Sequence, residues 1–583
     1  MFSVISKYKQ IGNVFFPAYC YTKLSIVLKG PPPQVVRLSR AATGFTAMDP
    51  EKGKASADLA ENSDNAVTKT ASIGEAQDAI VYPNVFWTSC VSFGVALGLF
   101  LVGLDMTIIA TAIPKITEEF PGVNLIGWYS SAFFISLACT QPLWGKIYTF
   151  SSIKYTFLAV VFIFGVGAVI GGLAPNSTVL ILGRAILGAS AAGIAAGGYA
   201  ILGVTVRPGL RPVFTGLINT IYSLASVLGP ILGGVFTQKS TWRWCFYVNL
   251  PVAGVSAIVI LLLFHPPAQS SRSKVPLKEK LSHVDPIGIL LVLASLVCFT
   301  RAVEVAGIHQ AWASAEVIGL FVGSGVAVVA FVVSQYLQGD HALLVSRLVK
   351  QRGVYMSMGY GFFHEGAFCL LLYYIPIYFQ VVAGITPTEA GFRNLPMLIS
   401  CGIGSATTGF LVSRFGYYTP LMVWASSGGC VGAGLVYTLD ETSPPAKWIG
   451  YQVLAGLALG SGLPLGIISG QANAEPEDLP ARTAMLLFSF CVGTSTSLGT
   501  GQSVFSNLLL TKLPALAPGV DPLTVINTGA TDIRNIFPAD AVPGIVQAYL
   551  YALRAVFAVV MAYAGVAVVF AAGSKWERLN LKG

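Results

Sequence analysis

Six charged residues interrupt runs that are otherwise apolar: Asp105, Arg184, Arg301, Glu304, Glu365 and Arg554. At the centre of a membrane helix each costs about 2.5–3.5 kcal/mol, so each needs a partner or an aqueous cavity. Carboxylates beside a guanidinium are suited to taking up and releasing protons. A carboxylate that moves between a dry environment and one near an arginine changes its proton affinity. Asp105 with Arg184 is the leading candidate for such an exchange, and a static pair joining two helices is the alternative. Asp105 is expected to matter for coupling rather than for folding. Glu365, beside His364, is the second candidate, set against a carboxyl that never changes state. Arg301 and Glu304 stand three residues apart on one helix face and are expected to form a structural ion pair. Arg554 lies near the end of its apolar run, where a long side chain can reach the interface.

A second group is polar without being charged. Gln141, Asn219, Tyr222, Tyr373, Tyr374, Gln380 and Gln471 lie within apolar runs or at their ends. Aromatic walls with a few amides suit a bulky, partly apolar organic ligand, and ordinary helix packing is the competing role for each. Enzyme chemistry is poorly represented. The five histidines, His265, His283, His309, His341 and His364, form no His box, and no Gly-x4-Gly-Lys-[Ser/Thr] loop is present to hold ATP. Seven of the nine cysteines (Cys90, Cys139, Cys298, Cys369, Cys401, Cys430 and Cys491) sit in apolar runs without a CxxC pair. Free thiols are therefore expected rather than disulfides or metal ligands, and neither metal nor cofactor is implied.

The elements that must position these groups are membrane helices. The chain has 583 residues, 54% hydrophobic and 10% charged, with mean hydropathy +0.70. A soluble protein would carry about 25% charged residues. Fourteen apolar segments reach the length of about 20 residues needed to span a bilayer. They lie near 88–112, 125–145, 153–173, 178–204, 213–236, 248–265, 285–305, 316–337, 354–382, 395–413, 419–439, 448–470, 483–509 and 545–572. The net charge of +9 is no nucleic-acid signal, because the basic residues gather in the tail and in short loops. With the amino terminus inside, Lys146, Lys154, Arg207, Arg211, Arg272, Lys274, Lys278, Lys280, Arg347, Lys350, Arg352, Arg414 and Arg482 are cytoplasmic. The other side has Lys115, Lys239, Arg243, Arg393, Lys447, Lys512 and Arg534. This bias places both termini in the cytoplasm.

Residues 1–84 are expected to be a disordered cytoplasmic tail. The first 47 contain Lys7, Lys9, Lys23, Lys29, Arg37 and Arg40 and no acid, as in a mitochondrial transit peptide. The favoured alternative is that the chain starts at Met48, which opens an acidic, Ser/Ala-rich segment. The remaining organisation is read as a six-helix bundle over 85–265, a cytoplasmic linker 266–284 and two inserted helices over 285–340. A second six-helix bundle over 341–572 and a short cytoplasmic tail 573–583 follow. The sequon at Asn176 is in a loop too close to the bilayer for glycosylation to be expected.

The most informative stretch is Gly216–Gly234, GLINTIYSLASVLGPILGG. Ala225, Gly229 and Gly233 recur every four residues and line one face with small side chains, a seam for close helix approach. Asn219, Ser223, Ser226 and Pro230 form a polar stripe beside it, and Gly229-Pro230 is expected to kink or locally open the helix. Gly216, Ala225, Gly229, Pro230, Gly233 and Gly234 resemble the antiporter motif Gly-x8-Gly-x3-Gly-Pro-x2-Gly-Gly of major facilitator exporters, with Ala225 in place of one glycine.

Other stretches point the same way. Leu104–Pro114 resembles the helix-1 signature of the fourteen-helix drug:proton antiporter branch, and Gly183–Gly188 the arginine motif of helix 4. Trp242–Pro251, Asp285–Gly288 and Tyr373–Gln380 resemble the family's segments leading into helix 6, opening helix 7 and closing helix 9. The resemblance covers about residues 85–572 and is strongest to fungal efflux pumps for toxins and other secondary metabolites. It implies an all-α integral membrane protein with the major facilitator fold, its fourteen helices arranged as two six-helix bundles plus an inserted pair. It further implies a monomeric carrier exporting small hydrophobic molecules against protons across the cell membrane, with the vacuolar membrane as alternative. A siderophore-type importer or a non-transporting receptor on the same scaffold are the competing functions.

One motif departs from the family. The loop after helix 2 usually reads Gly-x3-Asp-Arg-x-Gly-Arg-Lys, but after Gly145 the chain has Thr149 and Phe150 in place of the Asp-Arg pair, keeping Lys154. The second copy, from Gly409 to Gly416, has Ser413 in place of the acid and keeps Arg414. A charge latch at this loop is therefore not expected.

Overall fold

The computed structural model describes residues 84–120, 126–265, 285–308, 310–472, 474–475, 478–528 and 533–579. The tail 1–83 and the linker 266–284, including the two readings of the amino terminus, lie outside the described residues.

Fourteen long helices are present among the described residues. In chain order they are α1 Val85–Ile108, α2 Ile126–Phe150, α3 Ile153–Gly172, α4 Ser177–Thr205 and α5 Arg211–Lys239. Then come α6 Asn249–Leu263, α7 Pro286–Val305, α8 Ala315–Gln338, α9 Arg352–Val381 and α10 Leu395–Phe415. The last four are α11 Thr419–Tyr437, α12 Pro445–Gln471, α13 Leu479–Leu516 and α14 Val542–Gly573. Thirteen spans among the described residues are long and apolar enough to cross a membrane, α6 being counted together with the short helix Trp244–Tyr247 before it. The other, α2, is made less apolar by Gln141, Lys146 and several hydroxyls, but its 25 residues reach about 37 Å. Successive helices alternate in direction, so both described chain ends lie on one face, called here the terminus face.

Several boundaries depart from the hydropathy reading for local reasons. The first apolar run does not form one helix to 112. α1 stops at Ile108, a 3-10 turn covers Ile109–Thr111, and a short helix resumes at Ile113–Glu119. Pro114 has no N–H to continue the ladder of α1. Lys146 and Arg482 stand inside α2 and α13 rather than in loops, and both are buried. Pro230 does not interrupt α5, and Pro142, Pro376 and Pro464 are likewise carried within helices. Neighbouring helices and hydroxyl side chains can satisfy the freed carbonyls at such sites in lipid.

Helix association follows small residues, because lipid supplies no hydrophobic drive between helices. A Cβ on Gly188 of α4 would run into the carbonyl of Phe133 and the hydroxyl of Ser136 on α2. Gly456 of α12 meets Met397 O and Ser400 Oγ on α10 in the same way. Ser136 and Ser400 each turn their hydroxyls back on those same carbonyls, at 3.1 and 2.9 Å. The duplicated design is thus repeated in its packing. Across the halves, α2 packs on α13 and α5 on α10, while α7 touches both α2 and α13. α8 turns Val322, Val326, Val329, Val333 and Leu337 outward, the apolar exterior that lipid solvates.

Among the described residues two buried clusters cross between the halves, and one of them joins Ile135, Ala138 and Cys139 of α2 to Phe488 of α13. Ile467, Leu486, Leu487 and Phe490 of the second half belong to the buried cluster that holds Tyr199, Ile201 and Leu202 of α4. Glycines seal the same end: Gly145 of α2 abuts Ala484, Gly203 of α4 abuts Leu479, and Gly409 of α10 abuts the Pro212 carbonyl. Toward the opposite face the large cluster around Tyr374, Leu509 and Tyr549 contains second-half residues alone. The halves are therefore plugged together at the terminus face.

Candidate transport site

Asp105 and Arg184 meet. Arg184 Nη1 lies 2.5 Å from Asp105 Oδ2, and neither side chain has any exposed surface. Helix α1 brings the carboxylate, α4 the guanidinium, and Asn249 at the start of α6 donates to Asp105 Oδ1 at 3.0 Å. Arg184 also donates to the Tyr129 carbonyl at 2.9 Å and lies 4.6 Å from the centroid of Phe133. Both oxygens of Asp105 are thus bonded, while Arg184 Nη2 and Asn249 Oδ1 have no hydrogen-bond partner among the described residues. In this conformation the pair is caged. Asn249 lies within the Trp242–Pro251 stretch, so its importance was visible as a motif, but its partner was not.

Glu365 is arranged differently. Successive residues of a helix point about 100° apart, and α9 uses this to separate His364 from Glu365. His364 turns into the second half, with Nε2 2.8 Å from the Leu459 carbonyl, Nδ1 3.4 Å from Ser426 Oγ, and its ring stacked on Tyr360. Glu365 lies within electrostatic reach of Tyr199 on α4 and Tyr222 on α5, and also of Tyr360 on its own helix. Cys369, Cys401 and Cys491 are within the same electrostatic reach. Among the described residues it has no ion-pair or hydrogen-bond partner, and part of its surface stays accessible although it lies deep in the bundle. The histidine and glutamate do not form one site.

Of the polar candidates, Tyr222 is within electrostatic reach of Glu365, and Asn219 is tied to Tyr199, which is too. Asn219 donates to Tyr199 Oη at 3.2 Å, and Tyr222 reaches the Met106 sulfur at 2.9 Å. Tyr374 donates to Gln502 at 3.2 Å, half exposed Tyr373 stacks edge-on against it, and Gln380 lies farther along α9. Gln471 is at the terminus-face end of α12, bonded to Thr483, and Gln141 is buried in α2. Tyr199 and Gln502 escaped the sequence reading, which took the three thiols only as free cysteines; single residues in apolar runs give no periodic signal. Arg301 and Glu304 lie 3.2 Å apart, more than a third exposed, and Arg554 donates to the Leu439 carbonyl at 3.3 Å.

The small-residue motif of α5 serves two neighbours. A side chain on Gly229 would strike Thr107 and the backbone of Ile108, and one on Gly233 would strike Thr111 and Ile108 O. Ala225 faces Gly103, and Thr107 Oγ1 donates to Ser226 O at 2.9 Å, so this part grips α1. Gly216 instead faces Ser405 of α10, which donates to its carbonyl at 3.0 Å, while Gly234 approaches Thr388. Gly229→Leu is expected to abolish transport while the protein still inserts, since the extra atoms cannot pass the α1 backbone. Efflux normalised to membrane abundance checks this, and near-normal efflux would show that the seam does not move.

Comparison with known proteins rests on the same residues. The Major Facilitator Superfamily profile matches residues 95–500. The chain belongs to the major facilitator superfamily. It is 41% identical over 508 residues to the MFS-type transporter grgE of Penicillium sp, covering 87% of this chain and 90% of that one. It is 37% identical over 514 residues to the MFS-type efflux pump MFS1 of Arthroderma benhamiae, covering 88% and 96%. A probable efflux pump of Penicillium aethiopicum, gsfJ, is 40% identical over 499 residues, covering 85% and 89%. The solved transporter FucP, in an outward conformation, aligns with TM-score 0.50 at 13% identity over 82% of this chain and 98% of its own, a likeness of fold. This chain is accordingly a multi-pass membrane transporter of small molecules, not an enzyme.

Proposed function

We propose that this transporter exports small hydrophobic organic molecules in exchange for protons by alternating access. The observation that carries the reading is the accessible carboxylate of Glu365, without a hydrogen-bond or ion-pair partner among the described residues, beyond the packed seam at the terminus face. The excess of Lys and Arg in the loops of that face argues that it is cytoplasmic, and on that reading the described conformation is closed toward the cytoplasm, with the cell membrane as the site of export. Relatives named efflux pumps support the direction. Tyrosines, thiols and amides around Glu365 suit a partly apolar guest. In this scheme Glu365 exchanges protons with the outside while the Asp105–Arg184 pair stays closed, and the pair opens when α1 and α4 rearrange. The chain is taken to work as a monomer.

The test is uptake of a hydrophobic fluorescent probe into inside-out vesicles. An acid lumen is expected to drive accumulation, and nigericin to abolish it. Accumulation only with an alkaline lumen would make the protein an importer, and indifference to the gradient would remove the proton.

A further inference from the structure

The missing Asp-Arg pair leaves the terminus face without its family latch, yet that face is closed. Thr149, in place of the acid, spends its hydroxyl on the Gly145 carbonyl of its own helix, 2.9 Å away. The neighbouring Lys146 behaves differently. It is buried, and its ammonium lies 2.5 Å from the carbonyl of His341, just after α8. Asp285, at the head of α7, acts on the same ammonium electrostatically. A charged amine taken out of water needs such partners, and those of Lys146 include a carbonyl and a carboxylate from the ends of the inserted pair.

Asp285 is the hub of that pair. It accepts hydrogen bonds from Gly288 N at 2.7 Å, Gln335 Nε2 at 2.6 Å, Gln338 Nε2 at 3.0 Å and Leu343 N at 3.3 Å. Burial works against its charge, but these donors hold the carboxyl below the usual aspartate range. Gln335 Oε1 in turn accepts from Leu344 N at 2.7 Å, fixing the segment that follows α8. Farther along, Arg347 forms a two-pronged bond to Asp478 at 2.8 and 3.1 Å, and Arg482 donates to Gln351 at 2.7 Å. Asp478 and Arg482 flank the start of α13, whose Ala484 touches Gly145. Contacts thus run from the end of α2, through the inserted pair, to the second half. At the companion seam Ser413, standing where the second acid would be, donates to the carbonyl of Gly209.

We propose that the α7–α8 pair and the segment 339–351 form a clasp that holds the terminus face shut, with Lys146 as its releasable limb. The segment continues directly into α9 and is tied to α13 by Arg347, so opening must part Lys146 from the His341 carbonyl and Asp285. This gives the inserted pair a task, and it replaces the charge latch with one built on different residues. The inference rests on the alternating-access reading, but its readout does not require export.

Hydrogen–deuterium exchange of the full chain in nanodiscs tests it. Lys146→Met is expected to speed exchange at 199–206 and 479–487 by about tenfold or more, the effect of losing a hydrogen bond to a charged group. Exchange at 548–557, in the core of α14, should stay as in wild type, and Lys146→Arg should keep the ends protected. Unchanged protection at both ends in Lys146→Met would overturn the clasp, even if vesicle assays find export. If Lys146→Met also loosens 548–557, the decision passes to Asp285→Asn, which keeps the helix cap. Faster exchange at the two ends supports the clasp, and wild-type exchange there refutes it.

Discussion

Glu365→Gln is expected to reach the membrane in wild-type amount, to bind its ligand, and to lose pH-driven accumulation. The side chain has no partner to forfeit among the described residues and keeps accessible surface, so a neutral amide of the same shape leaves nothing buried and uncompensated. What the amide cannot do is carry a proton. A gradient of one pH unit stores about 1.4 kcal/mol per proton, enough for about a tenfold ligand gradient. Vesicles with that gradient should therefore concentrate the probe about tenfold with wild type and hardly at all with the variant. Ligand-induced quenching of tryptophan fluorescence, measured on the same preparation, separates lost coupling from lost binding. If the variant still concentrates the probe as wild type does, the exchanging proton is not on Glu365.

The contrast between this carboxylate and Asp105 was not legible in the sequence. Both read as single acids in apolar runs. Hydropathy reports solvation by lipid, one helix at a time, and for that reason the helices emerged with modest errors at their ends. The close-packing face of α5 emerged too, because a four-residue repeat of small side chains is a one-dimensional signal. What the repeat could not say is that Gly216 meets α10 while Gly229 and Gly233 meet α1. The partner Asn249 is 144 residues from Asp105, and the cage forms only when three helices converge. Adjacency misled in the opposite way: His364 and Glu365 are neighbours in the chain, but His364 bonds to the Leu459 carbonyl and to Ser426 and not to the carboxylate. The loop departure at Thr149–Phe150 was visible as a loss, while its compensation by Lys146 depends on where the inserted helices lie.

Asp105→Asn is expected to act on folding as well as on transport, because the cage ties the two together. Coupling without a folding role was the expectation from sequence; full enclosure of the pair changes it. Removing the carboxylate's charge leaves Arg184 with no anion and no solvent, and breaking a buried pair this way costs about 3–5 kcal/mol. Membrane abundance should fall severalfold. Arg184→Gln should fall similarly, leaving Asp105 with Asn249 as its remaining side-chain donor. The double variant Asp105→Asn/Arg184→Gln removes both charges together, and neutral side chains in hydrogen-bond range can replace a buried ion pair with little loss of stability. Its abundance should therefore recover toward wild type. Transport by the recovered protein then decides the role of the pair. Accumulation restored along with abundance would mean a static brace between α1 and α4. A stable double variant that binds probe but does not respond to the gradient would place Asp105 and Arg184, with Glu365, in the proton cycle.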